Sequence, residues 1–175
     1  LTITNPCTGI TLDKDTLTIA RGETATLTAT TVPAGTTDNV IWSSEDKTIA
    51  TVDSNGKVSG VKVGETTITA MCGNQTATCK VIVNKAFLTG TVNVPDKAVC
   101  GQEIEASYSG NAVSEPGDII RITWYRGETV IETGNKYTPT ADDVGKEIYV
   151  VVTSDKFDGK VESAKIKVEK APQDA

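Results

Sequence analysis

At 175 residues the chain is long enough for one large domain or for two of about 85 residues, and either size can bury a core. Hydrophobic residues make up 38% and aromatics only 5%, with threonine and valine dense throughout, which points to strands because β-branched side chains suit a pleated surface. The formal charge of −6 argues against a partner built on nucleic-acid phosphates, and no basic amphipathic segment points to a membrane surface.

Leu1 to Asn5 is polar and alternating, as the end of a linker would be. Ile10 and Leu12, then Leu17 and Ile19, show period-two spacing on either side of Asp13-Lys14-Asp15, which predicts a first strand interrupted by a kink. After the turn at Arg21-Gly22-Glu23, Ala25, Leu27 and Ala29 alternate with threonines as a second strand, ended by Val32-Pro33-Ala34-Gly35. Val40 and Trp42 face inward on a third. Ile49 to Val52 is a short strand, Ser54-Asn55-Gly56 supplies the positive-φ positions of a tight turn, and Lys57 to Val61 returns antiparallel. Ile68, Ala70 and Cys72 share one face of the next strand. Gly73-Asn74 suits a two-residue turn with glycine first, and Ala77, Cys79, Val81 and Val83 form the last inward row. About seven short strands in roughly 85 residues, spaced by turn signals, are the mark of an immunoglobulin-like sandwich.

Asn84-Lys85-Ala86 has no apolar periodicity and separates a domain over 1–85 from a second over 86–170. The second half runs through a strand over 88–94, a turn at Pro95-Asp96, a strand over 104–108 and a polar loop over 109–118. Ile120, Ile122 and Trp124 then repeat the tryptophan strand, Val130-Ile131 follows the turn at Arg126-Gly127-Glu128, Ile148 to Val152 is the most apolar strand, and Val161 to Val168 closes the domain. Residues 171–175 read as the start of an onward linker. Residues 1–85 carry 7 basic and 8 acidic side chains and residues 86–175 carry 10 and 15, an acidic surface that favours solubility. With no run of about 18 apolar residues, no insertion of this stretch into a bilayer is expected. The chain opens on Leu1 with no charged-then-apolar leader, as expected of a piece of a longer protein.

Gly9-Ile10-Thr11-Leu12-Asp13, Ala25-Thr26-Leu27-Thr28-Ala29, Trp42-Ser43-Ser44, Ile49-Ala50-Thr51-Val52, Gly56-Lys57-Val58 and Gly64-Glu65-Thr66-Thr67-Ile68-Thr69-Ala70 together resemble the bacterial immunoglobulin-like domain, group 2, over residues 8–83. The resemblance implies a module of bacterial cell-surface proteins, adhesins among them, or a spacer beside catalytic or carbohydrate-binding modules. Residues 88–168, with Trp124-Tyr125-Arg126-Gly127 and the run Tyr137 to Lys146, look like a second, looser bacterial immunoglobulin-like repeat. Neither family has a shared catalytic set.

The chain has no histidine, which removes the usual general base near neutral pH and the commonest metal ligand. The four cysteines, at 7, 72, 79 and 100, have no C-x-x-C spacing, so zinc is not expected. A tight Gly73-Asn74 turn would set Cys72 opposite Gln75 and Cys79 opposite Ile68, about 13 Å apart at 3.3 Å per residue, so these two could bridge only across a wider loop. Cys7 should arrive at the end of the sandwich where this hairpin lies. The candidate disulfide is therefore Cys7 with Cys79, or with Cys72, the first being preferred, and Cys100 is expected free; four reduced cysteines acting as small hydrophobes are the alternative. Asp13/Asp15, Glu45/Asp46 and Asp142/Asp143 read as turn residues accepting backbone N–H bonds, although Asp142 and Asp143 with Asp118 are the candidate calcium ligands. Trp42 and Trp124 are expected in the cores, whereas Tyr125 and Tyr149 fall on outward faces where a sugar ring could stack.

The expectation is therefore two tandem all-β immunoglobulin-like antiparallel sandwiches, without catalytic activity or cofactor, monomeric, from a bacterial cell surface or secreted protein. They would act as a stalk or spacer between neighbouring domains of one polypeptide. The alternative is a carbohydrate- or ligand-binding module accessory to a surface enzyme, its partner a host or cell-wall glycan or protein.

Overall fold

Alternating threonines and aliphatic residues carry the first part of the chain through nine strands: β1 Gly9–Leu12, β2 Thr16–Ala20, β3 Thr24–Thr26, β4 Ala29–Val32, β5 Val40–Ser44, β6 Ala50–Val52, β7 Lys57–Gly60, β8 Gly64–Cys72 and β9 Gln75–Asn84. They come from a computed structural model that describes residues 4–172, so the readings of residues 1–3 and 173–175 lie outside the described residues. The chain divides into two units, Leu1–Ala86 and Phe87–Ala175.

In the first unit a four-stranded sheet runs β2-β9-β8-β5, a three-stranded sheet β3-β7-β6, and β1 pairs with β4. The first expected strand breaks at its predicted kink, and the second is cut in half. Between β1 and β2, Asp13 takes the Thr28 N–H on its carboxylate at 2.7 Å and donates its own N–H to the Thr28 carbonyl at 3.0 Å. This clasp pins the point where both chain segments change partners: β1 and β4 pair with each other, while β2 goes to β9 and β3 to β7. Leu27, buried at the crossing, donates its N–H to Gly56 O at 2.9 Å. One pairing departs from the all-antiparallel expectation, since β2 runs parallel to β9.

The core of this unit falls into two clusters. Leu17, Ile19, Leu27, Val58, Ile68, Cys79, Val81 and Val83 form the larger. Cys7, Ile10, Ala70 and Cys72 form the smaller, and Trp42 packs against both. In the turn between β6 and β7 only Gly56 has a positive φ, 79°. A Cβ there would lie 2.4 Å from Leu27 O and 2.8 Å from the Trp42 ring, so glycine is required by space as well as by backbone. The β8–β9 turn places Cys72 opposite Gln75 and Ile68 opposite Cys79, the register that a two-residue Gly73-Asn74 turn dictates.

The second unit comprises β10 Gly90–Asn93, β11 Ala98–Val99, β12 Ile104–Glu105, β13 Ser107–Gly110, β14 Ile120–Arg126, β15 Thr129–Thr133, β16 Lys136–Tyr137, a 3-10 turn Ala141–Asp143, β17 Glu147–Ser154, β18 Val161–Glu162 and β19 Ile166–Glu169. Its main sheet runs β11-β19-β17-β14-β15 with β18 on β17, beside the pairs β10–β13 and β12–β16. The strand expected over 104–108 also changes partners midway, at the buried Ala106, whose N–H donates to Asn135 O at 2.7 Å. Trp124, Ile148, Val150 and Val152 are fully buried and fill the space under the main sheet. Here again one edge pair, β11 with β19, is parallel.

Each unit takes the chain in at one end and lets it out at the other. In the first, Cys7 lies against Gly73 at the β8–β9 turn, and the chain leaves at Asn84, the far end of the ten-residue β9, about 30 Å away at 3.3 Å per residue. In the second, Leu88 donates its N–H to Asp158 O at 2.7 Å, beyond the Ser154 end of β17, while Val168 donates its own to Lys146 O at 3.0 Å, beside the Glu147 end.

Candidate functional site

Acidic side chains do most of the polar work in the second unit, and the deepest is Asp143. Thr140 sits three residues before it, and this Thr-x-x-Asp spacing folds the 3-10 turn back on itself. One Asp143 oxygen accepts the Tyr137 hydroxyl at 2.5 Å, the Thr140 N–H at 2.7 Å and the Thr140 hydroxyl at 3.0 Å. The other accepts Arg126 Nη1 at 2.8 Å. Burial pushes the Asp143 carboxyl up, but these donors outweigh it and hold the group below the ordinary carboxylate value. Burial, and then the bond to Asp143, push the Tyr137 hydroxyl up to about 12. The Tyr137 ring lies 5.8 Å from Trp124, so the network clamps the 3-10 turn onto the core tryptophan.

The expected calcium ligands are not brought together. Asp118 accepts the Ser154 hydroxyl at 2.6 Å and the Lys156 N–H at 3.1 Å, at one end of β17. Asp143 belongs to the other end, and Asp142 beside it is exposed. Among the described residues no three His, Cys, Asp or Glu side chains gather where a metal ion could be held. In each of the other two acidic pairs one member serves its turn. Asp13, already bound to Thr28, also accepts Lys14, which with the Thr28 bond lowers its carboxyl pKa. Asp46 accepts the Thr48 hydroxyl at 2.6 Å and the Thr48 N–H at 2.8 Å, which lower its pKa likewise.

Tyr125 and Tyr149 stand directly opposite each other on β14 and β17, on the outward face, with ring centroids 5.5 Å apart and planes 21° from parallel. Tyr149 donates its hydroxyl to Gly127 O at 3.0 Å, and Lys165 Nζ lies 5.9 Å over its ring. Arg126, Lys146, Tyr149 and Lys165 line a shallow depression there. The pair is thus engaged by its own neighbours, a cross-strand staple of the kind that stabilises a sheet.

All four cysteines are free thiols. Cys79 belongs to the larger core cluster and Cys7 to the smaller, which corrects the preferred Cys7–Cys79 pairing: seven positions along the hairpin carry Cys79 away from the end where Cys7 arrives. Cys72 is the cysteine beside Cys7. Cys100, half-buried, donates its N–H to Glu169 O at 2.9 Å. Of the two tryptophans, Trp124 is fully buried, whereas Trp42 is half-buried with one ring edge against Gly56. The Asp143 network is the feature that residue patterns missed, and the Thr140-to-Asp143 spacing is the signal that could have found it.

Residues 6–83 match the family model of the bacterial Ig-like domain (group 2). An uncharacterized protein of Clostridium acetobutylicum is 41% identical over 95 residues, covering 52% of this chain and 22% of that protein. Ice-binding protein 1 of Shewanella frigidimarina is 31% identical over 126 residues, covering 67% of this chain and 14% of that protein. Among solved structures, domains 5-6 of the S-layer protein SbsC align over 95% of this chain and 99% of that one, at 18% identity and a TM-score of 0.38. The chain therefore spans under a quarter of the length of either of these two relatives. Residues 6–83, the first of two sandwiches in this chain, are a bacterial Ig-like domain of group 2.

Proposed function

We propose that the chain is a non-catalytic structural segment of a bacterial cell-surface or secreted protein, a spacer that carries neighbouring domains of the same polypeptide apart. The observation that supports this is the path of the backbone, which enters each unit at one pole and leaves it at the opposite pole. A sandwich with this path adds its own length to the molecule, whereas one with both termini at one pole would hang off to the side. Each core is complete within its own unit, so such modules add reach with little extra chain to order. The polar side chains support the same reading, because Asp13, Asp46, Asp118, Asp143 and Tyr149 are bound to their own turns and strands.

The test is an exchange in the full-length protein. Residues 6–169 are replaced by two unrelated immunoglobulin-like sandwiches with the same pole-to-pole path, or are deleted. The spacer reading expects the exchanged protein to keep the binding or catalysis of its flanking domains on intact cells, and the deleted one to lose it. Loss in both would overturn the reading and assign the activity to this surface.

A further inference from the structure

Three strands of observation meet at the pole where the chain enters the first unit. Cys7 and Cys72 share the smaller core cluster, Cys72 fully buried and Cys7 7% exposed at the rim. Both are held by Asp38. Its carboxylate accepts the Cys7 N–H at 2.8 Å, and the Cys72 thiol lies 3.7 Å from its carbonyl. Next to Cys72, a Cβ built on Gly73 would fall 3.6 Å from the Cys7 Cβ. The hairpin tip thus lies within van der Waals reach of Cys7.

We infer that Cys7 and Cys72 form a disulfide when the protein meets an oxidising disulfide compound, closing the entering segment onto the β8–β9 turn. The other cysteines stay out of it: Cys79 lies deep in the larger cluster, and Cys100 is in the second unit. The Cys7 thiol, now donating to Gly9 O at 3.2 Å, is the less buried of the two and attacks first. Its thiolate displaces one thiol from the oxidant and forms a mixed disulfide. The Cys72 thiolate then attacks the Cys7 sulfur, releasing the second thiol. One S–S bond forms in the protein, one breaks in the oxidant, and two electrons and two protons leave with the released thiols. Cys72, which burial and the neighbouring Cys7 push up to about 11, is a poor first nucleophile, consistent with this order.

The inference leans on the extracellular part of the proposed function only for a source of oxidant, and the experiment supplies that source, so the two readings fail separately. The purified protein is incubated with oxidised glutathione, its remaining thiols are alkylated, and its peptides are mapped without reduction. A peptide pair joining Cys7 to Cys72, with Cys79 and Cys100 alkylated, is the expected result. Reduction should lower the Tm of the first unit on the order of 10 °C, and should leave a Cys7→Ser variant unmoved. Four alkylated cysteines, a Cys7–Cys79 peptide, or equal reductant sensitivity in Cys7→Ser would overturn the inference. Cys7 is at the rim and serine nearly preserves its shape, so the variant is expected to fold; the peptide map on the unaltered protein decides the matter in any case.

Discussion

A carboxylate is costly to place in a protein interior unless donors surround it, and Asp143 is fully buried with four. Replacing it by alanine strands the Tyr137 hydroxyl and the Thr140 donors and should cost the second unit about 2–4 kcal/mol. The pH dependence has a definite sign. Its folded pKa lies below the ordinary 3.8, so the stabilisation is complete above about pH 5 and is lost as the pH falls through the folded value. Tyr137 acts at the other limit: its bond needs the protonated hydroxyl, so its contribution holds below about pH 10 and goes as the pH rises toward about 12. Urea titrations between pH 7 and 2 on the natural protein and on Asp143→Asn check this, the stability gap between them narrowing in acid. Little of it was legible beforehand. Asp142 and Asp143 are adjacent and chemically alike, and charge alone does not say which faces the core.

At the scale of strands, what was legible is what backbone chemistry decides locally. Gly56 and Gly73 each mark a turn that few residues other than glycine can make, so both hairpins and the Cys72–Gln75 register follow from neighbours a few positions apart. What was not legible is which strand pairs with which. The residues around Leu27 and around Ala106 keep one alternation straight through the break, whereas Ile10 and Leu12 are out of step with Leu17 and Ile19, which marks the interruption at Asp13 but not the exchange of partners. The two tryptophans show the same limit. They hold matched places in their strands, yet the Gly56 turn covers only one edge of Trp42. Trp124→Ala should therefore cost about 3–5 kcal/mol and Trp42→Ala less, on the order of 2 kcal/mol. Chemical denaturation of each unit reads the difference.

Across the whole molecule, the two tryptophan strands point to two cores, and the contacts divide the chain between Ala86 and Phe87. Trp124→Ala should accordingly leave the first unit's unfolding midpoint where it is, and a joint loss of both transitions would contradict independent cores. The parallel edge pairs, absent from an all-antiparallel expectation, matter most when the ends of the chain are pulled apart. In the first unit, tension drags β2 back toward the pole where the chain enters and β9 toward the pole where it leaves. The strands must slide past each other, so their hydrogen bonds share the load instead of parting one at a time. Five residue pairs join β2 to β9, but only two join β11 to β19. Under a steadily rising pull, the second unit should give way first and the first at a higher force, with two separate ruptures recorded from each molecule. Pulled from both ends, two sandwiches of this design would lengthen in steps, the weaker one yielding as a shock absorber while the stronger one holds.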